Sequence, residues 1–288
     1  MSRYQYDSFW NTFKRGFMRI PVVIRTIIAI NVIVFILMSL GGQTVGNLLV
    51  NLFGFDPDPF TALTQPWRIV TYMFLHGGAF HLIFNMLWLW WMGKMVEETI
   101  GPRSFAVIFF GAGIGGALLQ VAMAAVFSSN IVIGASGAVL GILVAFAYLF
   151  PTAPIMLLFL PPIEARFLVA GIVALDVLFL GAGDNVARLV HLGGAATGYL
   201  LVKMHYEGYD LAALIRPIEQ MFKGGSKKKK KKSGRKRNKD MYAVADVEIM
   251  EEKDADELDE ILEKISKKGY DGLTKEEKQK LFELSKRN

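Results

Sequence analysis

A serine set among small residues, Gly134-Ala135-Ser136-Gly137, opens the apolar run that extends from Ile131 to Phe150. Further along, a second apolar run over 188–204 carries His191 near its start. An imidazole can draw the proton from a serine hydroxyl and turn the oxygen into a nucleophile. Polar and ionisable side chains are unfavourable inside membrane spans, so a serine and a histidine in two such runs make a candidate functional site. A helix opening at Ser136 would also leave backbone N–H groups unpaired and partly positive, able to face an oxyanion. A third stretch, His76-Gly-Gly-Ala-Phe-His81-Leu-Ile-Phe-Asn85, places His81 and Asn85 one helical turn apart on one face. Both side chains can donate hydrogen bonds to developing negative charge.

Each motif has a plainer alternative. Taken alone, Gly134, Gly137 and Gly141 are ordinary close-packing positions between membrane helices. His191, Gly194 and Gly198, spaced i, i+3, i+7, share a face that is smooth below the imidazole. Laid against the glycine stripe around Ser136, that face would bring the imidazole to the hydroxyl. Alone, His191 could equally be a hydrogen-bonded structural histidine. A metal site built from His76, His81 and His191 lacks a carboxylate at a matching spacing, and the His-Glu-x-x-His signature is absent. No metal or cofactor is therefore expected. Gly111-Ala-Gly113-Ile-Gly-Gly116 fits a dinucleotide-binding pattern but falls inside an apolar run with no strand before it, and is better taken as a packing face.

The elements that must position these residues are membrane helices. Of the 288 residues 53% are hydrophobic, and mean hydropathy is +0.36. Apolar residues come in long unbroken runs rather than the periodic stripes of a soluble domain. An all-α, polytopic fold of six spans is expected, at about 21–41, 80–97, 104–126, 133–150, 165–181 and 188–205. Asp176 interrupts the fifth. Lys14, Arg15, Arg19 and Arg25 precede or open the first span, and Lys227 to Lys232 with Arg235 to Arg237 follow the sixth. Positive flanks stay cytoplasmic, so both termini are expected inside, in a multi-pass protein of the cell (inner or plasma) membrane. The entries to spans two, four and six, with His81, Ser136 and His191, then share the extracytoplasmic leaflet. The first twenty residues contain Arg3, Lys14, Arg15 and Arg19 and no apolar core, so they are not expected to be a cleaved signal. There are no cysteines, which excludes disulfides and thiolate metal sites.

Four parts follow: an amphipathic lead-in over 1–20, a bundle over 21–206, a basic linker over 207–254 and a short helical module over 255–288. In the linker, Lys227 to Arg237 is expected to be drawn to anionic inner-leaflet lipids. In the module, Leu258, Ile261, Leu262 and Ile265 form one stripe, and Thr274-Lys-Glu-Glu277 is a capping box. No nucleic-acid partner is expected, and oligomeric state is not indicated.

Together the motifs resemble a known family. Trp67-Arg68 before span two, His81-x-x-x-Asn85 in span two, Gly134-x-Ser136-Gly137 in span four and His191-x-x-Gly194-x-x-x-Gly198 in span six closely resemble the rhomboid intramembrane serine proteases, over about 21–206. The resemblance implies a Ser136/His191 dyad with no third acidic partner, cutting substrate helices within the outer part of the membrane. It also implies an oxyanion hole of His81, Asn85 and the Ser136 amide. Trp67-Arg68 would belong to a loop lying partly in the outer leaflet. Leu140 departs from the tyrosine that some bacterial members carry beneath the histidine. The last thirty-odd residues look like a segment appended to some bacterial members. Two other classes compete. A non-catalytic relative binding membrane helices would have no need of the dyad, and a transporter would want charges along a path, for which Asp176 is the one deep candidate.

Overall fold

The computed structural model describes residues 9–127, 130–157, 161–182 and 187–217, with Lys264, Leu273, Thr274 and Lys278. The chain divides into two compact units, Met1–Gly225 and Ser226–Asn288. The linker run Lys227–Arg237 and nearly all of 255–288 lie outside the described residues. In the second unit, the Lys278 N–H donates to the Thr274 carbonyl at 3.1 Å, the i to i+4 bond of a helical turn.

The first unit is helical. In chain order it comprises α1 (Phe9–Met18), α2 (Val22–Leu40), α3 (Gly42–Phe53), α4 (Pro59–Thr64), α5 (Arg68–Thr71), α6 (Ala79–Ile100), α7 (Pro102–Ala122), α8 (Ser136–Leu149), α9 (Ala165–Leu178) and α10 (Arg188–Tyr206). A short antiparallel hairpin pairs Pro154–Ile155 with Ile163–Glu164 between α8 and α9. A helix thus occupies each of the six intervals expected to span.

The six are not equivalent. By length and composition α2 and α7 can each cross a membrane, and α6 does so when joined to the turn before it, with a 98° bend between Arg68–Phe74 and Ala79–Ile100. Span four is shorter than the apolar run 133–150 implied. Residues 131–134 are not helical, Val132 is bridged to Phe55, and the helix begins only at Ser136. Gly134 has φ +127°, a conformation side-chain-bearing residues rarely adopt, and it lets the chain turn into α8. Span five also ends early, at Leu178. At fourteen residues, α8 is roughly 21 Å long, against a hydrocarbon core of about 30 Å. By itself α8 is therefore too short to cross that core. These apolar helices make the chain an integral membrane protein.

A buried carboxylate and glycine stripes, rather than hydrophobicity alone, fix how the helices meet, because lipid is as apolar as the core. Glu97, buried near the end of α6, accepts the Val23 and Ile24 N–H groups at 3.0 Å each. A carboxylate satisfies the orphan donors and the positive end of the α2 dipole. This places the start of α2 and the end of α6 at one face of the bundle. The starts of α6, α8 and α10 and the end of α9 are therefore at the opposite face.

The glycines of α7, the dinucleotide-like decoy, are packing positions. A Cβ on Gly113 would meet Met73, one on Gly115 would meet Thr197, and one on Gly116 would meet the Val190 carbonyl. The central contact is α8 on α10. Side chains at Gly194 or Gly198 would collide with the backbone of Gly137 or Gly141 respectively. Backbone cannot step aside as a flexible side chain can, so Gly194→Ala should lower stability by about 1–3 kcal/mol. Gly171→Ala on α9, where nothing lies within 4 Å of an added Cβ, should leave it unchanged. Thermal unfolding of both variants in detergent checks this.

Candidate active site

Ser136 is the first residue of α8, and His191 lies in the first turn of α10. The glycine contact between the two helices brings these first turns together. His191 Nε2 and Ser136 Oγ are 2.7 Å apart, a hydrogen bond of the length expected between a nucleophile and its base. Ser136 is half-buried. Because it opens a helix, its own N–H has no carbonyl one turn back to pair with.

The loop before Ser136 is held on three sides. The Gly134 N–H donates to the Tyr72 carbonyl at 3.0 Å, and Tyr72 Oη in turn donates to the Gly113 carbonyl at 2.8 Å. The Ala135 N–H points at His76 Nε2, 3.5 Å away. His81 fills the space where Gly134 lacks a side chain: an added Cβ would stand 2.6 Å from His81 Cε1. The His76 and His81 rings meet edge to face with centroids 4.9 Å apart. His81 is thus beside the Gly134–Ser136 turn at the start of α6. Asn85, buried one turn on, donates from Nδ2 to the His81 carbonyl at 2.8 Å. An amide nitrogen carries two hydrogens, so one donor remains beyond that bond.

Trp67 and Arg68 do different work. Trp67 Nε1–H donates to the Leu52 carbonyl at 3.0 Å, and Thr71 Oγ1 to that of Phe53 at 2.7 Å. The buried Arg68 guanidinium donates to the carbonyls of Gly54, at 3.2 Å, and Asn51. The last turn of α3 leaves its carbonyls unpaired and partly negative, and the Trp-Arg stretch satisfies them. The pair therefore ties the connection between α2 and α6 together. Trp67 itself stays exposed. Leu140 is buried in the core.

One residue of the site was not foreseen. Asp176, near the end of α9, has its carboxylate oxygens 3.1 and 3.2 Å from His191 Nδ1, the nitrogen that faces away from Ser136. The expectation of a histidine with no acidic partner is not what this chain displays. The signal was a lone carboxylate in an apolar run. In the structure Ala165, Val169 and Asp176 are the buried positions of α9. Which helix they would face was not legible in the sequence. Among the described residues no cluster of three histidine or acidic side chains is arranged to hold an ion.

Comparison with known proteins agrees with the architecture. The Rhomboid domain model matches residues 63–207, half of the chain, spanning α5 to α10 and every site residue named above. A family of unknown function, DUF6576, matches residues 250–287. The chain is similar to Rhomboid protease GluP of Bacillus subtilis, 31% identical over 182 residues, covering 62% of this chain and 34% of that protein. It is also similar to RHOMBOID-like protein 4 of Arabidopsis thaliana, 34% identical over 174 residues, covering 58% of this chain and 41% of that protein. RHOMBOID-like protein 1 of the same plant is 32% identical over 138 residues, covering 48% and 34%. The chain thus spans well under half the length of these relatives. With a domain match that takes in the whole of the Ser136, His191, His81 and Asn85 constellation, the chain belongs to the rhomboid family.

Proposed function

We propose that the chain is an intramembrane serine endopeptidase that hydrolyses peptide bonds in or near transmembrane segments of membrane-protein substrates. The single observation that carries this is the 2.7 Å contact between His191 Nε2 and Ser136 Oγ at one end of the bundle. Ser136 Oγ attacks the scissile carbonyl carbon while Nε2 takes its proton. The carbonyl oxygen becomes an oxyanion, which the Ser136 N–H, His81 and Asn85 stabilise by donating hydrogen bonds. Collapse of that intermediate breaks the C–N bond, and the proton on Nε2 passes to the leaving amine. Water, activated by the same imidazole, then frees the serine.

The short α8 supports an intramembrane site. A nucleophile at the head of a helix too short for the bilayer lies below the surface yet stays reachable by water from that side. Gly134 and Gly137 beside it let His81 and the α10 backbone pack closely around the serine. A substrate helix must expose its peptide bond there, so helix-weakening residues near the cut should favour cleavage. On the charge pattern, both termini are cytoplasmic in the cell membrane and the site opens to the extracytoplasmic side. Lys227–Arg237 would then meet anionic lipid of the inner leaflet.

The test is covalent labelling. A fluorophosphonate probe added to membranes holding the full chain should modify Ser136, and should do so equally well in EDTA, since serine and imidazole supply nucleophile and base. Peptide mapping identifies the modified residue. Absence of labelling, or labelling that needs zinc, would overturn the proposal.

A further inference from the structure

We infer that Asp176 is a positioning residue of the site, holding the His191 imidazole in the tautomer and orientation that let Nε2 accept the proton of Ser136. The inference rests on the serine-hydrolase reading of Ser136 and His191 and adds a third residue to it.

Three observations on separate elements converge. Both carboxylate oxygens of Asp176 on α9 lie within 3.2 Å of His191 Nδ1 on α10. The opposite ring nitrogen is 2.7 Å from Ser136 Oγ on α8. Asp176 is buried while Ala174, Leu175, Val177 and Leu178 around it are exposed, so α9 turns its one carboxylate inward and its apolar side chains outward. A carboxylate in an apolar span is unfavourable unless it finds a partner. The imidazole of His191 is such a partner.

The chemistry follows from which atoms can donate. A carboxylate only accepts, so the neutral ring must carry its hydrogen on Nδ1 and present the Nε2 lone pair to the serine. When Nε2 takes the Ser136 proton, the ring becomes cationic directly opposite the carboxylate. That proton goes on to the leaving amine, and Asp176 neither gains nor loses one. Because α9 ends two residues after Asp176, the contact also fixes the end of α9 against the first turn of α10. Among the described residues, other charged or titratable neighbours are His81 on α6, within electrostatic reach of His191, and Arg188 on α10, whose guanidinium lies over the Phe179 ring. Neither replaces a carboxylate at Nδ1.

The experiment uses the purified full chain in detergent. It measures the fluorophosphonate labelling rate of Ser136, reporter-cleavage kcat and KM, and thermal unfolding for wild type, Asp176→Asn, Asp176→Ala and Asp176→Glu. Asp176→Asn and Asp176→Ala should label at least about tenfold more slowly and lose kcat by a similar factor, with KM within about twofold of wild type. Asp176→Glu, which restores a carboxylate, should recover part of the rate. The near-isosteric Asn variant should unfold close to the wild-type temperature, which separates positioning from mere folding. Wild-type labelling rates in both the Asn and Ala variants, or a loss confined to KM and thermal stability, would overturn this inference alone. Failure of the wild type to label at Ser136 would overturn the hydrolase reading and this inference with it.

Discussion

Replacing Ser136 by alanine, or His191 by alanine, should each reduce cleavage of a single-span reporter below detection, a loss on the order of 10⁴- to 10⁶-fold in turnover. The two side chains share one hydrogen bond of 2.7 Å and one proton. Removing the serine leaves no nucleophile, and removing the histidine leaves a hydroxyl that stays protonated and unreactive. Residues acting as one unit are not additive, so the double variant should be no slower than either single one. The α8–α10 contact is made chiefly by backbone at Gly137–Gly194 and Gly141–Gly198, so Ser136→Ala should change thermal unfolding in detergent little, whereas His191→Ala leaves the buried Asp176 carboxylate without its partner and should unfold at a lower temperature. The measurement is product formation from a reporter reconstituted with each variant. Substantial residual proteolysis in Ser136→Ala would remove the serine mechanism.

The second large effect concerns the oxyanion. Asn85→Ala and His81→Ala should each slow turnover on the order of 100- to 1000-fold, about 3–4 kcal/mol of transition-state stabilisation, with a smaller change in KM. A donor aimed at charge that exists only in the transition state acts on kcat more than on binding. His81 sits against Gly134, two residues before Ser136, and Asn85 is one turn deeper on the same face of α6. Asn85 also donates to the His81 carbonyl at 2.8 Å, which fixes its rotamer and leaves its second amide hydrogen to serve an oxyanion. His81→Ala should in addition open a void beside the Gly134 turn, so its unfolding temperature should fall more than that of Asn85→Ala. Full kinetics of reporter cleavage separate the two parameters. A change confined to KM would count against an oxyanion role for the residue concerned.

What could be seen in one dimension was whatever a single helix displays along its own length. The apolar runs announced six helices. The i, i+3, i+7 spacing of His191, Gly194 and Gly198 announced a smooth face with an imidazole at its head, and the four motifs together announced the family. Such features repeat locally, because side chains one turn apart share a face whatever the rest of the chain does. Helix ends were less legible: the apolar run into α8 does not say that Gly134 adopts φ +127° and that the helix waits until Ser136. Hydropathy measures solvent preference, while the start of this helix is set by the Phe55–Val132 bridge and the Tyr72 carbonyl, both distant in sequence. Trp67-Arg68 could be recognised as a motif, yet its hold on the last carbonyls of α3 depends on how the connecting segment folds back. Asp176 is the sharpest case. Its type and its place in an apolar run were both in the sequence. Its contact with His191, fifteen positions away on another helix, depends on where α9 comes to rest against α10. Nothing periodic along either helix encodes that approach. It is decided by packing across helices, where small residues set the distance and buried polar groups take the partners that the final arrangement brings within reach.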